Sequence, residues 1–192
     1  DSSAPADNTS VAVAAGDTSI LVGSDSAPVK VVVYEDFLCP FCRELEDSTR
    51  DFLRENAAKG KVQVEYQPIN LLQDYSYSLR SLNAWGAVLK NARPNVALKL
   101  HDLFYENQPY ETSSDSTTDA DIAALVKKAG GTSSAVTAAL KVQNTSFLSS
   151  VAQVMNDKGI SSTPTVFIDG KELDGLGVPQ MVTAIEKAVS GS

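Results

Sequence analysis

The sequence of 192 residues has few cysteines, a single histidine, no excess of positive charge and no long apolar run. Its 16 basic residues are outnumbered by 24 acidic ones, which gives a net charge of -8. Nucleic acids and anionic membrane surfaces bind to basic protein surfaces, so this balance disfavours both classes of partner. No stretch approaches the roughly 18 consecutive apolar residues that cross a bilayer. The sequence therefore favours a globular protein whose partners are neither nucleic acids nor lipids.

The scarcity of cysteine and histidine limits the chemistry further. Two cysteines, Cys39 and Cys42, cannot build a disulfide scaffold, and a chain of this length does not need one. A structural zinc site takes four ligands, and the chain offers no third thiol beside its one histidine, His101. An inert structural disulfide between the pair would close a very small loop, and such loops gain little stability. We therefore expect a redox-active pair, with neither a metal nor an organic cofactor.

The cysteines follow a run that is typical of a buried strand. Residues 29–34 (VKVVVY) are β-branched and almost wholly apolar, as in a strand covered on both faces. Pro40 fits the first position of a helix, where its missing N–H is not needed, and Lys59-Gly60 is a plausible end. Residues 61–66 (KVQVEY) alternate as a second strand does. This order predicts a right-handed β–α–β unit with the cysteines where the first strand meets the helix.

The remainder of the chain divides into a helical region and a second sheet-forming region. Apolar residues recur at helical spacing across residues 75–159, whereas residues 165–168 (TVFI) predict a strand. Asp169-Gly170 predicts a tight hairpin turn, and Pro179 opens a final helix. Because the two sheet-forming regions have to pair, the helical region is predicted to be an insertion. The predicted units are an N-terminal tail with short strands (1–27), a discontinuous sheet domain (28–74 and 160–192) and a helical insertion (75–159).

The position of each thiol predicts its role. Cys39 lies at the start of the helix, where the helix dipole and unpaired N–H groups favour a thiolate, so we expect an exposed nucleophile. Cys42 lies one turn further, on the apolar face, and is expected to be the buried thiol that resolves a mixed disulfide. Arg43 is close enough in sequence to support the thiolate.

These motifs resemble those of a known family. The segment EDFLCPFC (35–42) opens a helix, and SSTPTVFIDGK (161–171) follows more than a hundred residues later, as in the thioredoxin fold. The helical insertion between them resembles that of DsbA-like proteins. The lead-in EDF and the segment ENQP (106–109) are similar to those of DsbA-like proteins exported by actinobacteria. The resemblance implies an α/β protein: a thioredoxin fold with an inserted α-helical domain.

The resemblance also implies an active site. Cys39 and Cys42 are its catalytic residues, and Pro40 and Phe41 complete the CPFC motif. Pro164 is expected to be a cis-proline that faces the cysteines, and Thr163 is expected to offer its backbone to a substrate peptide. Without the CPFC pair, Pro164 would read as an ordinary turn before an edge strand.

The activity implied by the family is the introduction of disulfides into reduced, unfolded exported proteins. The protein would act outside the cytoplasm, either exported or anchored in the cell envelope. We expect it to be a monomer. A membrane partner linked to quinones would reoxidise it. Two alternatives stay open: a disulfide reductase or isomerase on the same fold, and a non-catalytic peptide-binding module.

Two departures from the family pattern affect the expected site. Many DsbA enzymes have a histidine between the cysteines, whereas this chain has Phe41, so we expect a weaker oxidant. Relatives often bury an acidic residue six positions before the first cysteine, where this chain has Val33. Glu35 and Asp36 could instead relay protons to Cys42, although a solvated strand end explains them equally well. His101 is expected to be a surface or partly buried residue without a catalytic role.

Overall fold

The structure, a computed structural model, describes residues 11–192, so the first ten residues of the predicted tail lie outside the description. A six-stranded sheet forms its centre, with the strands in the order β1-β2-β4-β3-β5-β6. The strands are β1 (Val13–Ala15), β2 (Ile20–Val22), β3 (Val29–Glu35), β4 (Val62–Pro68), β5 (Thr165–Ile168) and β6 (Lys171–Glu172).

Seven α-helices surround or extend this sheet within the described residues. They are α1 (Pro40–Ala58), α2 (Ser76–Asn91), α3 (Pro94–Glu106), α4 (Asp119–Ala129), α5 (Ser134–Leu140), α6 (Thr145–Lys158) and α7 (Val178–Ser190). A 3-10 helix, Glu111–Ser116, lies between α3 and α4. The helices α2 to α6 all fall between β4 and β5, so the predicted thioredoxin fold with inserted helices is confirmed.

Strand β3 occupies the centre because its side chains suit burial on both faces. It pairs in parallel with β4, as the predicted crossover requires, and antiparallel with β5 from the far end of the chain. Val31 and Val33 alternate into the core, and both are almost fully buried. The pairing of the two sheet-forming regions is therefore confirmed.

Local signals in the sequence also set several boundaries. Thr118 and Asp121, three residues apart, form a capping box at the start of α4, and Gly130 ends that helix in the left-handed region with φ +100°. Asp169 and Gly170 both adopt positive φ, +50° and +82°, in the predicted turn between β5 and β6. The two-residue turn keeps these strands in register.

Helix α1 carries a charged residue on its buried side. The spacing of Glu46 and Arg50, four residues apart, predicts an ion pair on the outer side of the helix; the pair is present at 2.8 Å, but Glu46 is buried, so that placement is wrong. Helix α1 packs against α7, β4 and α3, so Glu46 points into the space that these elements enclose. The buried carboxylate belongs to the charged cluster described below.

Among residues 11–192, none of the helices combines the length and the apolar character that a membrane span requires.

Candidate active site

Cys39 is the residue that caps helix α1. Its N–H donates to the carbonyl of Asp36 at 3.0 Å, and its own carbonyl accepts the N–H groups of Cys42 at 3.1 Å and Arg43 at 3.2 Å. Pro40 occupies the first turn, where no N–H is needed. This arrangement leaves the thiol of Cys39 at the positive end of the helix dipole.

The thiol of Cys39 is acidic for a cysteine. A hydrogen bond from the Cys42 thiol is the largest cause, and the nearby Thr163 side chain and backbone hydrogen bonds at Cys42 and Phe41 add to it; together they outweigh burial and lower the pKa of Cys39 to about 7. Cys39 is only 5% exposed, so the expectation of an exposed residue is wrong. A thiolate at this position is therefore favoured by hydrogen bonds rather than by contact with water.

Cys42 differs from Cys39 although it lies one turn away. It is fully buried, and burial raises its pKa well above the usual range, with further contributions from Cys39 and Glu35. Both cysteines are free thiols, so the structure is that of the reduced protein. At neutral pH the pair holds one readily ionised sulfur and one that keeps its proton.

The segment before β5 lies directly against Cys39. The peptide bond between Thr163 and Pro164 is cis. The carbonyl oxygen of Thr163 lies 3.6 Å from the sulfur of Cys39, within hydrogen-bonding distance for a thiol. The hydroxyl oxygen of Thr163 is buried and has no hydrogen-bond partner among residues 11–192. The fold thus brings together two segments that are more than 120 residues apart in sequence.

A groove of about 460 Å³ opens beside this contact. Its walls come from the CPFC motif, the Pro164 segment and the loop that leads into α7, and they include Phe41, Thr163, Pro164, Leu176, Val178 and Met181. Phe41 is 61% exposed, which is unusual for an aromatic residue between two buried cysteines. The groove offers an apolar surface next to the acidic thiol.

Gln108 supports the motif from the opposite side. Its side-chain amide donates to the carbonyl of Phe37 at 2.9 Å and to the carbonyl of Cys39 at 3.0 Å. Gln108 belongs to the ENQP segment, which the sequence analysis noted without giving it a function. The contact ties the end of α3 to the start of α1.

Asp36 is fully buried and holds three parts of the chain together. One carboxylate oxygen accepts the N–H of Leu38 at 2.9 Å. The other accepts the N–H groups of Leu71 and Leu72, at 2.9 Å and 3.0 Å, and the hydroxyl of Ser78 at 2.7 Å. The alternative of a solvated strand end is therefore wrong for Asp36. Because both oxygens are occupied, the carboxylate fastens the loop after β4 and the start of α2 to the CPFC segment.

Glu35 is also buried, but its carboxylate has a different partner. Its Oε1 lies 2.5 Å from Nε2 of His101, and the other ring nitrogen of His101 lies 2.9 Å from Oδ1 of Asp102. His101 is completely buried, so the expectation of a surface or partly buried residue is wrong, as is that of a solvated Glu35. Helix α3 places His101 on the same face as Ala97 and Phe104.

The Glu35–His101 pair shares a proton in a strongly charged environment. Burial opposes the charged form of His101, but the carboxylates of Glu35 and Glu46 and the hydrogen bond to Asp102 raise its pKa to about 10. Burial raises the pKa of Glu35, and its contacts with His101 counteract that rise. His101 therefore carries a positive charge at neutral pH.

Two arginines of α1 complete this cluster. Arg54 binds both carboxylate oxygens of Asp102, at 2.9 Å and 3.0 Å, and Arg50 binds Glu46 and the half-exposed Glu106, each at 2.8 Å. Burial opposes ionisation of Asp102, but hydrogen bonds from His101 and Arg54 hold its pKa well below the usual range. Asp102 is 17% exposed, so the cluster reaches solvent at this residue as well as at Arg50, Arg54 and Glu106.

The same cluster contains the one group of possible metal ligands found among residues 11–192. One donor atom each from Glu35, Glu46 and His101 lies within 4.8 Å of the others. The arginines and the charged His101 already neutralise these carboxylates, and their positive charges oppose a bound cation. We therefore interpret the group as an ion-pair network rather than as a metal centre.

Sequence reasoning missed His101, Asp102 and Tyr105 as neighbours of the site. A usable signal was present, because Ala97, His101 and Phe104 recur at helical spacing within one apolar face. A histidine within such a face is buried, and a buried histidine needs a polar partner. The identity of that partner, Glu35 on β3, could not be read from the spacing.

Solved structures with known activities share this fold. The MdbA protein of Corynebacterium diphtheriae, a thiol-disulfide oxidoreductase, superposes with a TM-score of 0.73 at 22% sequence identity and covers 93% of each chain. DsbA of Mycobacterium tuberculosis superposes with a TM-score of 0.70 at 22% identity and covers 95% of this chain and 93% of its own. At this level of identity the likeness establishes the fold.

A curated relative covers less of the chain. The serine/threonine-protein kinase PknE of Mycobacterium tuberculosis is 26% identical over 123 residues, which make up 61% of this chain and 22% of the kinase. The match thus corresponds to about a fifth of the relative's length.

The family model Thioredoxin_4, described as thioredoxin, matches residues 15–187. This match takes in the strand β3, the CPFC motif, the inserted helices and the Pro164 segment, which is nearly the whole described chain. The chain therefore belongs to the thioredoxin family.

Proposed function

We propose that this protein is a thiol–disulfide oxidoreductase that introduces disulfides into exported proteins through Cys39 and Cys42. The observation that carries the proposal is the contrast between the two thiols. Cys39 has a pKa of about 7, whereas burial raises that of Cys42 well above its usual range. A low pKa stabilises the thiolate of the reduced enzyme, and this makes the corresponding disulfide a better oxidant.

The reaction starts from the oxidised enzyme. A substrate thiolate attacks the sulfur of Cys39, the Cys39–Cys42 bond breaks, and Cys42 leaves as a thiolate that takes up a proton. A second substrate thiolate then attacks the first substrate sulfur and expels Cys39. The substrate loses two electrons and gains a disulfide, and the enzyme becomes a dithiol. The acidic Cys39 is a good leaving group in this second step.

The groove beside the motif supports a substrate of the polypeptide class. Phe41, Leu176 and Met181 offer apolar surface to an unfolded segment, and the backbone around Thr163 and Pro164 offers strand-like pairing. Because Cys39 is 5% exposed, the substrate sulfur has to approach closely between Phe41 and Thr163. Reduced, unfolded proteins can present a cysteine in this way, whereas folded proteins with internal thiols cannot.

Glu35 is the group that we assign to proton transfer at Cys42, in preference to Asp36. The charge of Glu35 contributes to the raised pKa of Cys42, so this carboxylate interacts electrostatically with that thiol. The oxygens of Asp36 are occupied by hydrogen bonds from Leu38, Leu71, Leu72 and Ser78. A carboxylate bound on both oxygens has a structural role rather than one in proton transfer.

The compartment and partners follow from the chemistry. Disulfides persist in oxidising environments, so we propose an extracytoplasmic location, in the cell envelope or beyond it. An enzyme that leaves each cycle as a dithiol needs an oxidant, and a membrane partner linked to quinones would serve. The sheet and the site are complete within one chain, in keeping with a monomer.

A reductase or isomerase is the second candidate, and one observation favours it. A pKa of about 7 at Cys39 matches that of thioredoxin, a reductant, whereas DsbA has a value of about 3.5. Phe41 between the cysteines supplies neither a charge nor a hydrogen bond to lower it further. We therefore expect a weaker oxidant than the DsbA enzymes that have histidine at this position.

The test combines two activity assays with a measurement of potential. The oxidised protein is incubated with reduced, denatured ribonuclease, and the reduced protein with insulin, each beside a Cys39→Ser variant. Equilibration with thiol buffers then gives the reduction potential on the scale from about -270 mV for thioredoxin to about -120 mV for DsbA.

We expect recovery of ribonuclease activity and a potential in the upper half of that range. A potential near that of thioredoxin, together with rapid insulin reduction, would assign the protein to the reductases. Equal behaviour of wild type and Cys39→Ser in both assays would make it a peptide-binding module.

A further inference from the structure

A continuous row of polar side chains leads from the neighbourhood of Cys42 to the surface of the protein. Glu35 contacts Nε2 of His101 at 2.5 Å, and Nδ1 of His101 contacts Asp102 at 2.9 Å. Glu35 and His101 are at most 1% exposed, whereas Asp102 is 17% exposed. The row therefore has a dry interior end and an end that water reaches.

The interior end lies close enough to the buried thiol to affect its ionisation. The charge of Glu35 contributes to the raised pKa of Cys42. Tyr105 donates to the carbonyl of Asp36 at 3.3 Å, and Asp36 directly follows Glu35 in the chain. Glu35 ends strand β3, four residues before Cys39, so the strand and the turn after it set how far the carboxylate lies from the thiols.

Four of the elements around His101 present titratable or charged groups to it. These groups are Glu35 from β3, Glu46, Arg50 and Arg54 from α1, Tyr66 from β4, and Asp102 and Tyr105 from α3. The arginines bind Glu46 and Asp102, so the carboxylate left for His101 alone is that of Glu35. His101 is thus the link between Glu35 and the outer ion pairs.

We propose that His101 is a positioning residue for the Cys42 step: it holds Glu35 in place through Nε2 and exchanges a proton with it there, while Asp102 binds Nδ1. The proposal rests on the proposed function, since it describes how the second thiol of the same site gains and loses its proton. It requires a histidine because the charged imidazole donates from both ring nitrogens and can release the Nε2 proton to Glu35 while it keeps the proton on Nδ1.

The proton balance of the step is as follows. When a substrate thiolate breaks the Cys39–Cys42 bond, Cys42 leaves as a thiolate in a dry environment. The proton that it needs passes to it through Glu35, and Nε2 of His101 restores that proton to Glu35, which leaves a neutral imidazole whose Nδ1 proton stays on the side of Asp102. In the reverse direction the Cys42 thiol gives its proton back through Glu35 to Nε2 of His101, and the thiolate attacks a mixed disulfide at Cys39. The oxidant is the Cys39–Cys42 disulfide in the forward direction and the mixed disulfide in the reverse direction.

The reverse step can be observed by itself. Reaction of the reduced protein with an aromatic disulfide places thionitrobenzoate on Cys39, the more acidic thiol. Attack by Cys42 then releases coloured thionitrobenzoate, and stopped-flow absorbance measures the rate from about pH 6 to about pH 8.5. A general base inside the protein keeps this rate nearly constant with pH, whereas direct deprotonation by hydroxide raises it about tenfold per pH unit.

We expect the wild type to change less than tenfold over the whole range. In His101→Gln, which keeps a hydrogen-bonding side chain but cannot exchange protons, we expect the rate at pH 7 to fall about 10- to 100-fold and to rise steeply with pH. Glu35→Gln should give the same profile. In all variants the alkylation of Cys39 should keep its pH midpoint near the value of about 7 in the wild type.

Tyr66→Phe is the matched control. The ring of Tyr66 packs on His101 with 4.6 Å between the ring centroids, and its hydroxyl has no hydrogen-bond partner in the described part of the chain. Removal of that hydroxyl disturbs the same pocket without touching the bonds of His101. We expect its release rate to stay within about twofold of wild type at every pH, because no general base is lost.

A wild-type release rate that rises tenfold per pH unit would overturn the proposal, and this measurement does not depend on whether His101→Gln folds. A folded His101→Gln variant with the pH profile of the wild type would also overturn it. The same holds for a folded variant in which the pH midpoint of Cys39 alkylation shifts as well. Failure of the wild type to release thionitrobenzoate at all would instead refute the proposed function. If the wild type releases thionitrobenzoate and His101→Gln shows the same pH profile, only the role of His101 is refuted.

Discussion

The two sides of the CPFC motif have opposite physical character. On the side of Cys39, hydrogen bonds and the helix N-terminus stabilise a thiolate beside an apolar groove that faces solvent. On the side of Cys42, the thiol is sealed in a core that also contains the Glu35–His101 pair. A spacing of three residues is therefore enough to separate a reactive sulfur from a protected one. The first residue lies at the end of the helix, and the residue one turn later lies on its buried face.

The largest expected effect comes from removing each thiol in turn. Cys39→Ser should abolish dithiol–disulfide turnover, because the acidic nucleophile is lost. Cys42→Ser should still react at Cys39 but should then accumulate mixed disulfides, because the resolving thiol is missing. Non-reducing electrophoresis after incubation with a reduced protein substrate distinguishes the two variants. Equal accumulation of mixed disulfides in both variants would mean that the two thiols do not differ in reactivity.

The next largest effect concerns the anchor beneath the motif. Asp36→Ala should lower the free energy of unfolding by more than about 3 kcal/mol, because it leaves several buried donors without an acceptor. Denaturant unfolding at pH 7 measures the change. Asp174→Ala, at an exposed position, is the control and should stay within about 0.5 kcal/mol of wild type. A change at Asp36 as small as that of the control would mean that the carboxylate does not hold the segment.

A smaller effect links stability to pH. The pKa of Cys39 is lowered in the folded protein to about 7, so the thiolate stabilises the reduced fold above the unfolded pKa, and this stabilisation is lost as the pH falls through about 7. The difference in unfolding free energy between reduced wild type and Cys39→Ser should therefore grow by about 2 kcal/mol between about pH 6 and pH 8.5. Urea unfolding under reducing conditions at several pH values measures it. A difference that stays flat over this range would mean that Cys39 ionises as a free thiol does.

The smallest expected effect sharpens the contrast at the surface. Phe41→His should lower the pKa of Cys39 by about one unit, because a histidine can donate to the thiolate or carry a charge beside it, and should raise the reduction potential by about 30 mV. Thiolate absorbance against pH and equilibration with thiol buffers give the two values. Phe41→Leu keeps the apolar character and should leave both unchanged. An equal shift in Phe41→Leu would point to the bulk of the phenyl ring rather than to charge.

The fold was predictable because its signals are local. The β-branched run of β3, Pro40 at the start of α1, the capping box of Thr118 and Asp121 and the turn at Asp169-Gly170 each depend on residues close together in sequence. The thiol positions followed from the same signals, because helix geometry places Cys39 at the end and Cys42 one turn inside. The exposure of Cys39 did not follow, since the Thr163 segment that covers it comes from the other end of the chain.

Glu35 and Asp36 show where sequence reasoning ends. They are adjacent, both acidic and both fully buried, yet one binds His101 and the other binds backbone groups after β4. Nothing in their local sequence separates these roles, because successive residues at a strand end face different neighbours. The spacing of α3 could have indicated a buried His101, but not that its partner would be Glu35.

The sequence by itself determined the order of strands and helices and the place of the two thiols at a helix start, because hydrophobic periodicity and helix geometry act over a few residues. Only the tertiary structure decided that Cys39 is covered as well as Cys42, which carboxylate meets His101 and which surface borders the groove. Burial and the electrostatic effects that depend on it are set by groups far apart in the chain, and these meet only when the sheet has closed and the helices have packed around it.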